Sequence, residues 1–185
     1  MKRKKSFLTP EMLRELLDYN PSTGQLVWKT RELKHCDSET TQKIFNKRFA
    51  GKPALTSPCN GYRAGYVMLV SISAHQVAWA IYHGRWPKHQ IDHINGDRAD
   101  NRIENLRDVP PSVNSKNQSY DAPYGYSGIA RSGKKGVWVV RLGAGPNRYV
   151  GTYETFEEAV AVRKKVAAER GFTERHGTQQ AGRNG

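Results

Sequence analysis

The chain has 185 residues, and its 30 lysines and arginines outnumber its 17 aspartates and glutamates, which gives a net charge of +13. Hydrophobic residues make up only 37% of the chain, which favours two small units over one large core. No apolar run approaches the ~18 residues of a membrane span, and no apolar signal segment follows the basic residues 2–5. We therefore expect a cytoplasmic monomer with a polyanionic partner, and neither export nor membrane insertion.

The first half of the chain predicts alternating short helices and strands. Thr9-Pro10 is typical of a helix start, and Ser73 with Gln76 fits the capping box of a second helix. Residues 30–60 are polar and show no pattern that we can assign. The predicted elements are a helix from Pro10 to Asn20, strands at residues 25–29 and 66–72, and a helix that ends at Gly84.

Residues 90–118 carry the candidate chemistry. Asp92 and His93 lie on a short predicted strand, and Asn95-Gly96 is a strong turn signal. A second short strand is predicted at residues 100–107, and Pro110 then begins a polar helix. The predicted order is strand, strand, helix.

This order resembles the HNH nuclease motif, the ββα-metal finger of phage and intron-encoded homing endonucleases. Asn105 follows His93 by twelve residues, and Asn114 follows Asn105 by nine. The flanking residues 75–80, 85–87 and 100–102 also resemble that branch of the family. The resemblance implies that residues 1–118 form a nuclease domain that cuts double-stranded DNA, not a small molecule. The resemblance also implies that one strand is nicked, or that both are cut slowly, with 3′-hydroxyl and 5′-phosphate ends.

The residue types fit that chemistry. Asp92 and Asn114 offer hard oxygen donors for one Mg²⁺ or Mn²⁺ ion. The side chain of His93, with an unperturbed pKa of ~6.5, accepts the proton of the attacking water. In the family the asparagine at the place of Asn105 holds the loop and the base in position. Further candidate contacts to phosphate or metal are Arg102, Arg107 and Asn117.

Beyond a predicted linker at residues 119–125, three strands and one helix are predicted at residues 127–131, 137–142, 148–153 and 155–171. Residues 126–172 resemble the DNA-binding domain of plant ethylene-response factors, in which the open face of the sheet enters the major groove. Ser127 and Ala130 replace basic residues of that family, so its sequence preference does not carry over. Strand alternation places Trp138, Val140 and Leu142 under the helix. The candidate DNA contacts are Arg131, Lys134, Lys135, Arg141, Asn147 and Tyr149.

The sequence thus predicts an α+β protein, with an N-terminal ββα-metal nuclease domain, a small three-stranded antiparallel sheet packed on one helix, and a disordered tail at residues 173–185. The alternative is a DNA-binding regulator that keeps the nuclease fold and does not cut. A basic RNA-binding protein ranks third, because only Tyr149 offers a stacking side chain on the open sheet. The target site, the number of strands cut and the biological role stay open.

Overall fold

Two units make up the computed structural model of the protein, residues 1–110 and residues 111–185. The structure describes residues 7–118, 122–133, 136–143 and 145–178. Both units combine helices with small antiparallel sheets, so the chain is an α+β protein, as predicted. Within the described residues, none of the helices combines the length and the apolar character needed to cross a bilayer.

The first unit contains three helices and three small sheets among its described residues. The helices are α1 (Pro10–Leu16), α2 (Glu39–Phe49) and α3 (Ala74–His83). The strands are β1 (Leu17–Tyr19), β2 (Leu26–Trp28), β3 (Ser57–Cys59), β4 (Tyr62–Val67), β5 (Val70–Ser73), β6 (Gln90–His93) and β7 (Leu106–Val109). The antiparallel sheets are β1–β2, β3–β4–β5 and β6–β7.

Helix α1 begins where the sequence predicts, but it ends early. The Thr9 side chain accepts a hydrogen bond from the Met12 amide, which caps the helix. The predicted end at Asn20 is wrong, because the chain becomes extended at Leu17 and pairs as β1 with β2. Leu17, the first residue after the helix, is therefore buried as part of a strand.

The single strand predicted at residues 66–72 is wrong. The chain reverses at Met68 and Leu69, so that β4 and β5 form a hairpin with Val67 paired to Val70. Helix α3 ends at Gly84 in the left-handed conformation, as predicted. The predicted capping box of Ser73 and Gln76 is wrong, since the Ser73 side chain makes no capping hydrogen bond; Ser73 is the last residue of β5 and pairs with Ala64.

Residues 30–60, which the sequence left unassigned, contain α2. Its side chains Gln42 and Asn46 both donate hydrogen bonds to the backbone oxygen of Arg31, and the Asn46 oxygen accepts from the Arg31 amide. Phe45 packs edge-on against Trp28, with ring centroids 5.5 Å apart. Polar anchors and the contacts of the Phe45 ring with Trp28 and Arg31 hold this helix, and none of its residues is fully buried.

Helix α3 joins the two hydrophobic clusters of the first unit. One cluster surrounds Leu13, Leu16 and Val77, and it includes the buried residues of β4 and β5. In the other cluster, Ala78 and Trp79 of α3 pack against Ile91 of β6 and Leu106 of β7. The β6–β7 hairpin is therefore fixed to the core through its apolar side.

The second unit has a three-stranded antiparallel sheet with one helix packed on it. Its elements are α4 (Pro111–Asn114), β8 (Ile129–Arg131), β9 (Trp138–Arg141), β10 (Tyr149–Tyr153) and α5 (Phe156–Glu169), with sheet order β10–β9–β8. Thr155 and Glu158 form the predicted capping box. Ile129, Val140 and Ala159 form the buried core, as expected for strands that alternate under a helix.

The described start of the predicted tail is folded. The Ser127 amide donates to the backbone oxygen of Gly177, and His176 is buried. The remaining tail, residues 179–185, and residues 119–121 of the predicted linker lie outside the described residues.

Candidate active site and nucleic-acid interface

The β6–β7 hairpin carries the candidate catalytic residues. Its antiparallel register places Asp92 opposite Arg107 and His93 opposite Leu106. Residues 94–105 connect the two strands, and residues 103–105 form a turn of 3₁₀ helix. The second strand therefore begins later than the predicted residues 100–107, although the order strand, strand, helix is confirmed.

Asn105 holds this connection together from both ends. Its side-chain oxygen accepts from the Asn95 amide at 2.9 Å, and its side-chain nitrogen donates to the backbone oxygen of Asp100 at 2.9 Å. Asn105 is buried, so losing either bond leaves a buried polar group without its partner. A second bridge is formed where the Asn95 side chain donates to the Asp100 carboxylate at 2.8 Å.

Asp92 is a buried carboxylate that is paired with Arg107. Two guanidinium nitrogens of Arg107, Nε and Nη2, donate to Asp92 Oδ2 at 2.8 and 2.7 Å. The Asp92 side chain is 7% exposed and that of Arg107 is 36% exposed. Arg107, which we predicted to contact phosphate, thus pairs with Asp92, the predicted metal ligand. The exposed part of the Arg107 side chain is what is available to DNA.

His93 lies in a cluster of rings at the end of β6. The His75 ring is 5.2 Å from the His93 ring in an edge-on arrangement, and the Tyr62 ring is 5.7 Å away. Burial lowers the pKa of His93, and the Asn101 side chain and nearby carboxylates oppose that shift. Burial thus favours the neutral imidazole, the form that accepts a proton.

Arg102 is engaged in the loop. Its guanidinium bonds to both oxygens of Asp100, and one nitrogen also donates to Glu104 at 2.9 Å. Hydrogen bonds from Arg102 lower the pKa of Asp100 to about 2. Arg102 therefore stabilises the connection between the strands, and a phosphate contact has to be made by the exposed 41% of its side chain.

Asn114 and Asn117 belong to the second unit. Asn114 is the last residue of α4, and Asn117 lies in the 3₁₀ turn that follows. Asn117 is buried, and its side-chain oxygen accepts from the Thr173 hydroxyl at 3.0 Å. Asn117 thus anchors its own turn, whereas the approach of Asn114 to a metal held by Asp92 remains a prediction.

A hard divalent cation fits the carboxylate and amide oxygens that are predicted to hold it. In the part of the chain that the structure describes, no three His, Cys, Asp or Glu side chains cluster as metal ligands. A Mg²⁺ ion held by one carboxylate, one amide, waters and phosphate does not need such a cluster. Because Arg107 contacts Asp92 Oδ2, a cation at this carboxylate shares it with a guanidinium.

The open face of the second unit's sheet carries part of the predicted DNA-binding set. Tyr149 lies opposite Arg141 at the edge of the β9–β10 pair, and both are exposed. Arg131 lies elsewhere, because it pairs with Trp138, whose ring packs against Phe156 of α5. Arg131 is therefore on the helix-covered side of the sheet, with its guanidinium 6.0 Å from the Trp138 ring centroid.

The other predicted contacts of the second unit lie at its loops. Asn147 is exposed in a 3₁₀ turn before β10, and Lys134 and Lys135 fall outside the described residues.

Three contacts of this site were not predicted from the sequence: the ring of His75, the ring of Tyr62 and the pairing of Arg107 with Asp92. His75 is the second residue of α3. It is buried against His93. The strand register was the available signal for Asp92 and Arg107, since opposite residues of an antiparallel pair share one face. No local signal points to the contact between His75 and His93, because it joins a helix to a strand.

Comparison with known families supports a nuclease. Residues 73–116 match the model of the HNH endonuclease family. The matched segment runs from the end of β5 through α3 and the β6–β7 hairpin into the second unit, so the first 72 residues lie outside it. No curated protein gives a significant match to the chain, and no solved structure does either. The match supports hydrolysis of DNA by an endonuclease in general terms.

Proposed function

We propose that this protein is a metal-dependent endonuclease that nicks double-stranded DNA and leaves 3′-hydroxyl and 5′-phosphate ends. The observation that carries the proposal is the β6–β7 hairpin, on which a buried carboxylate and a neutral buried imidazole are consecutive residues, Asp92 and His93. The same hairpin lies inside the segment that matches the HNH endonuclease family.

The side chains of the hairpin divide the work. His93 accepts the proton of the water that attacks the phosphorus atom. Asn105 keeps the loop that follows His93 in one conformation through its two hydrogen bonds, and so positions the imidazole. Asp92 and Asn114 would hold one Mg²⁺ or Mn²⁺ ion. When bound, the ion supplies Lewis-acid stabilisation of the charge on the departing 3′ oxygen.

We further propose that residues 126–172 form a DNA-binding domain like that of plant ethylene-response factors, following a nuclease domain at residues 1–118. The exposed pair Arg141 and Tyr149 on the open sheet face supports this assignment. Arginine is suited to guanine edges in the major groove. The net charge of +13 supplies sequence-independent attraction to phosphates. We also propose that the protein is a monomer in the cytoplasm, which is the host cytoplasm if a phage encodes it.

The test follows relaxation of supercoiled plasmid by purified protein in Mg²⁺, in Mn²⁺ and in chelator. We expect nicking that requires metal and is lost in His93→Ala, with DNA binding retained. His89→Ala is the matched control, because His89 is an exposed histidine next to β6 whose hydrogen bond to Asp108 uses the backbone amide. Equal nicking by His93→Ala, or nicking in chelator, contradicts the proposed mechanism.

One observation favours the alternative, a DNA-binding regulator that does not cut. Arg107 already neutralises Asp92 through two hydrogen bonds to one carboxylate oxygen. If that pair persists on DNA, a cation competes with a guanidinium for the ligand. If the protein binds plasmid and natural host DNA but nicks neither of them in any metal, the regulator is favoured.

A further inference from the structure

The turn between β4 and β5 has an unusual conformation for its sequence. Val67 pairs with Val70, so Met68 and Leu69 alone form the turn. Their φ angles are 47° and 68°, in the left-handed region. Two-residue turns of this kind favour Asn-Gly, since side chains with a Cβ rarely adopt that conformation. The chain thus keeps two long apolar residues where small or polar ones fit the backbone better.

The same turn exposes apolar surface. Leu69 is 65% exposed, and Tyr66 at the end of β4 is 66% exposed. Met68 is partly buried and packs against the core of the first unit, so it anchors the turn to that core. We call Tyr66, Met68 and Leu69 the apolar tip. Exposed apolar groups that share one hairpin end mark a contact surface more often than scattered ones do.

A basic and aromatic surface borders the apolar tip. The tip lines a cavity of about 390 Å³ together with aromatic residues of β2 and α2 and with Arg31. The Arg31 guanidinium lies 3.5 Å from the centre of the Phe45 ring. Residues 29–52 contain seven lysines and arginines against three acidic residues. On α2, the exposed basic side chains are Lys43, Lys47 and Arg48.

We propose that the apolar tip is a wedge that inserts between base pairs from the minor groove of duplex DNA, while Arg31 and the basic residues of α2 contact the flanking phosphates. Apolar wedges of this kind partly unstack a base step, and the cost is offset by the contacts that the kinked DNA gains. A hairpin with a two-residue turn suits this role, because it presents Leu69 from a rigid support. The proposal rests on the proposed function in one respect only, namely that the partner is duplex DNA.

The test measures DNA unwinding by the full chain in chelator, where no cleavage is expected. Relaxed closed-circular plasmid is incubated with the protein and a topoisomerase that needs no metal, and the linking number is read on a gel after removal of protein. Insertion of a wedge unwinds the duplex, so the wild-type protein should lower the linking number in proportion to its concentration. The double variant Met68→Asn/Leu69→Gly should abolish that shift and weaken duplex binding about tenfold.

Asn-Gly is the preferred pair for such a turn, but the double variant also loses the packing of Met68 on the core, so urea unfolding is measured alongside to verify that it folds. Leu69→Asn gives a second, smaller change with the same expected direction. Tyr82→Ala is the matched control, because Tyr82 is an exposed aromatic residue of the same unit that lies on α3 and does not line the cavity at the tip. It should keep the linking-number shift.

A further readout separates the wedge from a phosphate contact. The double variant should keep the salt dependence of binding, because no charged contact is lost, whereas Lys47→Gln should reduce the slope by about one ion. Duplex binding without any change in linking number overturns the wedge and leaves the nuclease proposal standing. If the wild-type protein shifts the linking number but does not nick DNA in metal, the nuclease proposal is overturned and the wedge stands. The wedge is also overturned if the double variant binds anionic phospholipid vesicles more weakly but binds DNA as the wild-type protein does.

Discussion

Replacing Arg107 by methionine tests how the hairpin holds Asp92. Methionine keeps the length of the side-chain stem and removes the guanidinium, so Asp92 loses two charge-assisted hydrogen bonds of 2.8 and 2.7 Å. The carboxylate is 7% exposed, whereas the guanidinium side chain is 36% exposed. A fully buried pair broken on one side costs ~3–5 kcal/mol, and because Arg107 is partly solvated we expect about 2 kcal/mol.

Urea unfolding in chelator measures this loss, and a thermal scan should show a decrease in Tm of roughly 10 °C for a unit of this size. The double variant Asp92→Asn/Arg107→Met should recover most of the stability, because no unpaired charge is left buried. Added Mg²⁺ should stabilise Arg107→Met more than the wild-type protein, since the cation no longer competes with the guanidinium. Arg102→Met is the control for the Mg²⁺ effect, because it also frees a carboxylate from a guanidinium, but the carboxylate is that of Asp100, which is not a predicted metal ligand.

The opposite outcome is equally clear. If Arg107→Met keeps its full stability but binds DNA more weakly with a lower salt slope, Arg107 is a phosphate contact and its pairing with Asp92 does not support the site. A double variant that is no more stable than Arg107→Met also refutes the reasoning, because the cycle would then show no coupling between the two side chains.

Three further changes test the loop, the second unit and the acid limit of folding. Asn105→Ala removes two buried hydrogen bonds and should cost about 2–3 kcal/mol in urea unfolding, together with nicking activity. Gly128→Ala should unfold the second unit or cost at least ~3 kcal/mol, because a Cβ there lies 2.0 Å from the backbone oxygen of Arg141. Gly125→Ala, with φ also positive but nothing within 4 Å, should cost only about 1 kcal/mol by the same measurement. The pKa of Asp100 is lowered from 3.8 to about 2, so its contribution to the free energy of unfolding is present above pH 4 and is lost as the pH falls towards 2. Asp100→Asn should remove this pH dependence when stability is measured as a function of pH.

Each of these expectations has a contrary result. Asn105→Ala that loses nicking without losing stability would give Asn105 a direct role in chemistry. Equal stability of Gly128→Ala and Gly125→Ala would mean that the approach of the backbone to residue 128 is relaxed in solution. A pH dependence below pH 4 that is the same with and without the Asp100 carboxylate would remove that group as its source.

The sequence by itself determined the features that depend on residues close together in the chain. Thr9 and Thr155 cap their helices, Gly84 ends α3, and the three strands of the second unit fall where alternating residues place them. These signals succeed because a cap or an alternation acts within a few residues, whatever the rest of the chain does. The order of strands and helix around Asp92 and His93 was local in the same sense.

Only the tertiary structure decided what those residues touch. Leu17 continues the apolar pattern of α1, yet pairing with β2 makes it extended. Met68 and Leu69 carry no turn signal, and the hairpin forms because Val67 and Val70 are both buried in the core. Helix α2 has no clear apolar stripe that would predict it from the sequence. Hydrogen bonds from its side chains to the backbone oxygen of Arg31 hold it in place.

The candidate site shows the same division. The residue types at positions 92, 93 and 105 and their spacing along the chain predict the HNH motif, and the family match covers all three positions. The guanidinium on Asp92 and the His75 ring on His93 come from other elements, opposite in register or across the core. Local sequence fixes which chemical groups are present, whereas packing between distant segments sets the charge and the burial that tune them, because both depend on neighbours in space.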